Sequence, residues 1–322
     1  MINGDPKNRI VGIFDWNEPG RLGSLLLHLT ELSIKSDLTG SFDLIVTNAA
    51  VKKQNEFPGT LIQFNENDAG ASGLGPVFKV IFDFKKIRNV YVCESIHTLD
   101  LNDFIKINGP SEFWPEPESF LKNNHSYDSF RNLNTLFHET AVTPRLEMKS
   151  ETSKNAREFL ERHAKGNCRI VVHLKNNGEK QNISNADFNE WISFFDESYN
   201  QYPNLCFCLI GNELPSLSFP PNTILTNRLG SDLATDLAMI PIAQAFMGMS
   251  SGPCQMAILN EVPYLIFKNP GHHPEKMQDE MGQMNRFLFA NNHQHFFREH
   301  ETKKAMMKFI KNIAEDFTDS IR

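Results

Sequence analysis

A run of small residues in the last third of the chain has the composition of a phosphate-binding turn. The apolar stretch 245–249 leads into Ser250, Ser251, Gly252, Pro253 and Cys254, and residues 254–259 then follow a helical period. Gly252 lets a backbone approach a ligand closely, and a proline such as Pro253 suits the first turn of a helix. The pattern predicts a helix N-terminus at the carboxyl end of a strand, where free N–H groups and the helix dipole attract anions.

Two other strand ends carry polar residues that could act on the same ligand. His173 and Lys175 close the apolar run 169–174, and on a strand they point the same way. A lysine there could neutralise a diphosphate; the alternative is a solvated strand end with a satisfied histidine. Gly211 and Glu213 follow the run 205–210, where a carboxylate could accept hydrogen bonds from a ribose. The alternative for this pair is a simple turn.

A third candidate lies near the start of the chain, between a predicted strand and a predicted helix. Gly20, Arg21, Gly23 and Ser24 could hold an anionic group with backbone amides and a guanidinium, or could form a turn that needs glycine for packing. The segment lacks the G-x-G-x-x-G spacing of a dinucleotide site, and the sequence contains neither a P-loop nor a G-x-S-x-G elbow. An Asp-x-Asp metal motif of the sugar-transferase type is also missing.

Composition excludes several other classes of function. The formal net charge is −7 and the pI about 5.9, so the electrostatic footprint of a nucleic-acid-binding protein is missing. The five cysteines lie mostly in apolar runs, which favours free buried thiols in a reducing compartment. No set of histidines and carboxylates has metal-ligand spacing. Because we find no signal peptide and no apolar run of membrane-spanning length, we expect a cytoplasmic protein with no transmembrane segment.

Alternating strand and helix patterns place these residues in an α/β architecture. The alternation predicts parallel sheets with crossover helices in two Rossmann-like domains facing across a cleft. The pattern weakens between residues 107 and 142, and a linker should end near Thr143 and Pro144. The expected divisions are an N-terminal domain (1–145), a C-terminal domain (146–300) and a last amphipathic helix (301–322). The predicted strands cover 10–14, 42–47, 61–65, 89–93, 169–174, 205–210 and 224–226.

The second half resembles the donor-binding domain of a GT-B glycosyltransferase, most like the heptosyltransferase-like family 9. The residues that carry this resemblance are IVVHLK at 170–175, YPNLCFCLIGNE at 202–213 and MGMSSGPCQMAILNEVPYLIF at 247–267. The segment GRLGSLLLHLTEL at 20–32 occupies the place where that family has a glycine-led turn and helix. The resemblance implies that the last helix packs back toward the N-terminal domain.

The resemblance implies transfer of a sugar from a nucleotide-diphosphate donor to a glycan or other hydroxyl acceptor, without a metal or cofactor. The turn 250–254 and Lys175 would bind the diphosphate through the amides of Ser251, Gly252 and Cys254, and Glu213 would bind the nucleoside. The acceptor would lie near residues 15–24. The family has an aspartate directly after the turn glycine, where this chain has Ser24, so Asp15 or Glu18 would replace it as base.

Two other functions are compatible with the same predicted fold. A nucleotide-sugar epimerase or hydrolase would use the same diphosphate site without an acceptor. A degenerate transferase would bind a nucleotide or glycan without turnover, and Ser24 in place of the aspartate favours this alternative. The expected partners are a nucleotide-diphosphate sugar and a glycan or lipid-linked acceptor. A lipid-linked acceptor would bring the protein to the inner face of the membrane.

Overall fold

The computed structural model divides the chain into two compact units that meet in sequence at Lys149 and Ser150. Residues 141–149 form an extended segment at the end of the first unit. Met148 in that segment bridges to Phe84. The structure describes residues 9–16, 22–37, 39–48, 61–71, 75–95, 97, 100–121, 127, 130–164, 167–178, 183–212, 217–282, 284 and 286–321.

The first unit is built on a five-stranded sheet with the strand order β3-β4-β2-β1-β5. Strands β1, β2, β4 and β5 run parallel, whereas the short edge strand β3 is antiparallel to β4. Its elements are β1 (Arg9–Asp15), α1 (Leu22–Lys35), β2 (Phe42–Thr47), β3 (Ile62–Phe64), α2 (Glu66–Ala71), α3 (Gly75–Lys79), β4 (Ile87–Cys93), α4 (Leu101–Asn108), β5 (Ser111–Trp114), α5 (Pro117–Leu121) and α6 (Arg131–Thr140).

The second unit contains a six-stranded sheet with the order β11-β10-β9-β6-β7-β8, and every pairing in it is parallel. Both faces are covered, so its strands are almost continuously apolar. Its elements are α7 (Ser150–His163), β6 (Cys168–His173), α8 (Phe188–Gln201), β7 (Leu205–Leu209), β8 (Thr223–Leu225), α9 (Leu233–Met239), β9 (Ala245–Met249), α10 (Cys254–Ile258), β10 (Tyr264–Phe267), α11 (Pro274–Met281), β11 (Gln294–Phe297) and α12 (Lys303–Ile321).

The last helix packs within the second unit. Met306, Phe309 and Ile310 of α12 join the core cluster that also contains Trp191 and Phe194 of α8. The two helix starts are tied to each other by carboxylates. Glu301 accepts a hydrogen bond from the Asp187 amide at 2.6 Å, and Glu190 accepts one from the Lys303 amide at 2.6 Å. These bonds satisfy amides that a helix start leaves without an intrahelical partner. The predicted return of this helix toward the first unit stays a prediction.

The α/β prediction is confirmed, and the differences lie in short elements. The stretch 107–142, predicted as weakly structured, contains β5, α5 and α6. In α6 only Leu133 and Leu136 are buried. The helix α8 begins after Asp187, whose side chain accepts hydrogen bonds from the amides of Asn189 and Glu190. All five cysteines are buried and free, as predicted.

Candidate functional site

The site in the second unit lies where strands β6, β7, β9 and β10 end, at the carboxyl edge of the sheet. This edge is where ligands bind in open α/β sheets. His173 is the last residue of β6, Gly211 follows β7, the turn 250–254 follows β9, and Lys268 follows β10. The strands are buried along their length, so they hold these polar groups on a rigid base.

The imidazole of His173 lies at the centre of this edge. Its Nδ1 is 2.9 Å from the Ser251 hydroxyl oxygen, and the residue is only 6% exposed. Two glycines make room for this residue, one beside its ring and one beside its backbone. A Cβ on Gly211 would lie 3.2 Å from His173 Nε2, and one on Gly248 would lie 2.3 Å from the His173 carbonyl oxygen. Burial, followed by the charge of Lys175, lowers the pKa of His173 to about 4, so the ring is neutral at physiological pH.

A buried carboxylate fixes the loop after β7. Asp236 of α9 accepts hydrogen bonds from the Gly211 amide at 3.0 Å, the Thr226 hydroxyl at 2.9 Å and the Ser231 hydroxyl at 2.6 Å. Burial raises the pKa of Asp236, and these three bonds oppose the rise. Gly211 has φ of +89°, a conformation that favours glycine. Asp236 therefore holds the predicted site residue Gly211 against His173.

The turn 250–254 has fewer free amides than the sequence suggests. The Ser250 amide donates to the Phe267 carbonyl at 2.8 Å. The Ser251 amide faces Cys254 Sγ at 3.3 Å, and that thiol donates back to the Ser251 carbonyl at 3.0 Å. Pro253 has no N–H. Within the described residues, the amides of Gly252 and Cys254 donate to no protein group. Gly252 is half-buried and its amide remains available for a ligand, whereas Cys254 is fully buried, so its amide could meet a ligand only if the turn opened.

Cys254 itself is part of the scaffold of the turn. It is fully buried, and burial raises the pKa of its thiol to about 11. A thiol with so high a pKa is a poor nucleophile at neutral pH. Its hydrogen bonds to Ser251 instead fix the shape of the turn.

Two lysines bring positive charge to this turn. The charges of Lys268 and Lys175 both oppose the rise in the pKa of Cys254, so both ammonium groups lie near the start of α10. Lys268 is only 8% exposed, and its amide donates to the Phe297 carbonyl at 2.9 Å. Sequence reasoning missed Lys268. The available signal was a single lysine directly after the apolar run 264–267, at the same edge as Lys175.

The predicted residues of the first unit lie at the carboxyl edge of its own sheet. Asp15 is the last residue of β1, and its carboxylate accepts a hydrogen bond from the Thr47 hydroxyl at 2.7 Å. Gly23 and Ser24 lie in the first turn of α1, where Ser24 is buried. The predicted residues Glu18, Gly20 and Arg21, and also Glu213 of the second unit, lie outside the described residues.

The described residues contain neither a cluster of metal ligands nor a membrane-spanning helix. No group of three or more His, Cys, Asp or Glu side chains that could hold a metal ion is found in that part of the chain. No helix in the same residues is long and apolar enough to cross a membrane.

The two α/β units with their buried sheets have the fold of GT-B glycosyltransferases. The particular likeness is to a glycosyl transferase of family 9 from Veillonella parvula, with a TM-score of 0.51, 13% identity, and coverage of 96% of this chain and 98% of that chain. The E. coli heptosyltransferase WaaC with ADP matches with a TM-score of 0.49, 10% identity, and coverage of 94% and 99%. The fucosyltransferase NodZ from Bradyrhizobium matches at 0.39, with 16% identity and coverage of 83% and 97%.

The sequence itself matches no protein-family model and no curated protein. The predicted resemblance is thus confirmed in the fold. The roles of individual residues have to be argued from the site.

Proposed function

We propose that this protein is a glycosyltransferase that moves a sugar from a nucleotide-diphosphate donor to a hydroxyl acceptor. The observation that carries the proposal is the convergence of Lys175, Lys268 and the amides of Gly252 and Cys254 at the carboxyl edge of the second sheet. Two ammonium groups, the Gly252 N–H and, with the turn open, the Cys254 N–H suit a diphosphate. We call these four residues the anion site.

The anion site would act on the leaving group of the reaction. When the bond between the sugar C1 and the diphosphate oxygen breaks, negative charge grows on that oxygen. Donors fixed in advance at this position stabilise the transition state, because they need no reorganisation as the charge develops. Since α10 has only five residues, the two amides would contribute as local hydrogen-bond donors more than through a helix dipole. The lysines would supply the charge that a metal ion supplies elsewhere.

Ser251 would contact the ligand through its hydroxyl and not through its amide, the group that the sequence predicts. Its amide is engaged by Cys254, so its hydroxyl is the group left to meet the ligand. The neutral ring of His173 orients that hydroxyl at 2.9 Å. His173 would therefore be a positioning residue for the anion site.

The first unit would supply the acceptor site and the base. As the new bond forms between the acceptor oxygen and C1, the acceptor proton must pass to a base. Asp15 is the candidate among the described residues, since it ends a strand at the carboxyl edge of the first sheet, where the Thr47 hydroxyl donates to its carboxylate at 2.7 Å. Glu18, Gly20, Arg21, Gly23 and Ser24 keep their proposed places around the acceptor.

A nucleotide-binding protein without turnover is the second candidate. The observation that favours it is Ser24, which stands where the resemblance expects an aspartate and is buried in α1. Such a protein would keep the anion site and lose only the transfer step. The transfer of a sugar, the nature of the acceptor and any location of the reaction at a membrane are parts of the transferase proposal.

The test is a binding and turnover comparison of three lysine variants. Lys268→Met and Lys175→Met each remove one charge from the anion site, whereas Lys154→Met removes an exposed lysine from α7 as the matched control. A charge-assisted hydrogen bond contributes about 1.5–3 kcal/mol, so each site variant should bind nucleoside diphosphates roughly 10- to 100-fold more weakly. The control should bind like the native protein in isothermal titration calorimetry.

The outcomes separate the candidate functions. Sugar transfer to an acceptor panel, lost in Asp15→Asn with donor binding intact, would support the transferase. Donor binding without any turnover would favour the binding protein, and donor breakdown without an acceptor would favour a hydrolase or epimerase. Native affinity in both folded lysine variants would contradict the anion site.

A further inference from the structure

The C-terminal part of the second unit is cationic although the whole protein is acidic. Six lysines and arginines but only two glutamates lie between residues 284 and 312, in a chain of net charge −7. One of the two glutamates, Glu301, is buried, and its carboxylate accepts a hydrogen bond from the Asp187 amide at 2.6 Å. Within the segment only Glu299 is left to offset the positive charges, while from outside it Glu197 pairs with Lys303 at 2.7 Å and Glu315 pairs with Lys311 at 3.8 Å.

The fold gathers these charges at one corner. His295 lies on the edge strand β11, two residues before Phe297 and on the same face. Phe297 packs against the core cluster that contains Met306 and Phe309 of α12, so His295 also lies on the side of the sheet that α12 covers. Lys304, Lys308 and Lys311 follow one another on α12 at a helical spacing, away from its buried face.

The cations of this corner influence one another. Burial lowers the pKa of His295, and the positive charges of His293, Arg286 and Lys308 lower it further. The loop 286–293 and the helix α12 therefore bring cationic groups together around His295 of β11, whose lowered pKa keeps its own ring neutral at physiological pH. We call the surface formed by Arg286, His293, His295, Lys304 and Lys308 the cationic corner; His293 and the two lysines are exposed, and Arg286 and His295 are half-buried.

Few acidic groups face the cationic corner. Arg286 donates to the neutral amide oxygen of Asn292 at 3.0 Å. Among the described residues, Lys304 and Lys308 form no ion pair, in contrast to Lys303, which reaches Glu197 at 2.7 Å. Like charges held together without counter-charges repel one another, and an anionic partner would relieve that repulsion.

Exposed apolar side chains stand beside these charges. Met284 and Leu288, on either side of Arg286 in the chain, are each 51% exposed. The intervening Phe287 is buried and packs against Phe296 of β11, which anchors the loop. A soluble polyanion would use the charges only. A bilayer surface would also take up the two apolar side chains among its lipid headgroups and acyl chains.

We propose that the cationic corner and its two exposed apolar residues bind the surface of an anionic phospholipid bilayer. The lysines and Arg286 would attract the negative surface, and Met284 and Leu288 would enter the interface. The proposal does not depend on the proposed function, because it concerns a different surface and its test needs no nucleotide.

The test measures co-sedimentation of the full chain with vesicles. We expect binding to vesicles of phosphatidylcholine with a quarter phosphatidylglycerol, and little binding to phosphatidylcholine alone. Each basic residue near such a surface contributes about a factor of five in affinity. The double variant Lys304→Gln, Lys308→Gln should therefore bind roughly 30-fold more weakly. The matched control, Lys79→Gln with Lys154→Gln, loses the same charge from exposed helix positions elsewhere and should bind like the native protein.

A third variant tests the apolar contribution. Met284→Ser with Leu288→Ser keeps every charge and should bind the anionic vesicles severalfold more weakly, whereas its affinity for soluble inorganic polyphosphate should not change. Equal binding of native protein to both kinds of vesicle, or native-like binding by the lysine variant, would overturn the proposal. Unchanged vesicle binding by the serine variant would replace the bilayer with a soluble polyanion as the partner.

Discussion

Replacing Gly248 by alanine tests the packing on which the anion site depends. The new Cβ would lie 2.3 Å from the His173 carbonyl oxygen, where ordinary contact begins at 3.4 Å. Gly248 is in β9, held between β6 and β10, so neither strand can withdraw without breaking its pairing. Overpacking of this kind costs about 1–3 kcal/mol. The positive φ of Gly248 adds about 1–3 kcal/mol of backbone strain for a residue with a side chain.

A second glycine provides the control. Gly230 also has a positive φ, +86°, but no atom lies within 4 Å of its would-be Cβ. Gly230→Ala should lower the free energy of unfolding only by the strain contribution. Gly248→Ala should lower it by about 1–3 kcal/mol more, because it also overpacks. At about 2–4 °C per kcal/mol, this is a further drop of roughly 2–12 °C in Tm.

The assay is thermal unfolding of both variants, followed by nucleoside diphosphate binding at a temperature where both are folded. We expect Gly248→Ala to bind more weakly, because a displaced His173 no longer orients the Ser251 hydroxyl. Equal Tm values for the two variants would refute the reasoning about close packing. A lower Tm with unchanged binding would show that His173 has no part in the anion site.

Two further predictions concern buried carboxylates of the first unit. Burial raises the pKa of Glu31 to about 7, against bonds from Trp114 and Asn132 that lower it. The stability that this raised pKa contributes is fully present below the unfolded pKa of 4.5 and is lost as pH rises toward 7. Glu31 should therefore lower the free energy of unfolding of the native protein by about 3 kcal/mol over this pH range, and Glu31→Gln should remove that fall. Asp43 is fully buried and accepts bonds from Arg9, Arg88 and Asn89, which together lower its pKa although burial alone would raise it. Asp43→Asn should destabilise the protein by about 3–5 kcal/mol at pH 7. That difference should shrink as pH falls below the unfolded pKa of 3.8, and urea titrations across pH measure both effects.

The block 245–267 could be predicted from the sequence because its signals agree. An apolar run, a small-residue turn with glycine and proline, a helical period and a second apolar run specify one βαβ unit. The strand ends that carry Lys175 and Gly211 were predicted for the same reason. In these places local pattern and tertiary structure coincide.

Other features could not be predicted because tertiary contacts decide them. A lone Lys268 after an apolar run is only a weak local signal, and its role depends on Lys175, which lies far away in the chain. The engagement of the Ser251 amide depends on where the Cys254 thiol packs. The antiparallel direction of β3 and the boundaries of the short elements between residues 107 and 142 depend on pairing and packing that local sequence does not specify.

The measurement that tests the central claim most directly is thermal unfolding of the native protein with nucleoside diphosphates, in EDTA and in Mg²⁺. A ligand at 100 times its Kd contributes about 2.7 kcal/mol, which for a unit of this size raises Tm by roughly 5–10 °C. We predict such a rise with at least one nucleoside diphosphate, equal in EDTA and in Mg²⁺, and lost in Lys268→Met. No rise with any nucleoside diphosphate, or a rise that Lys268→Met keeps in full, would contradict the account.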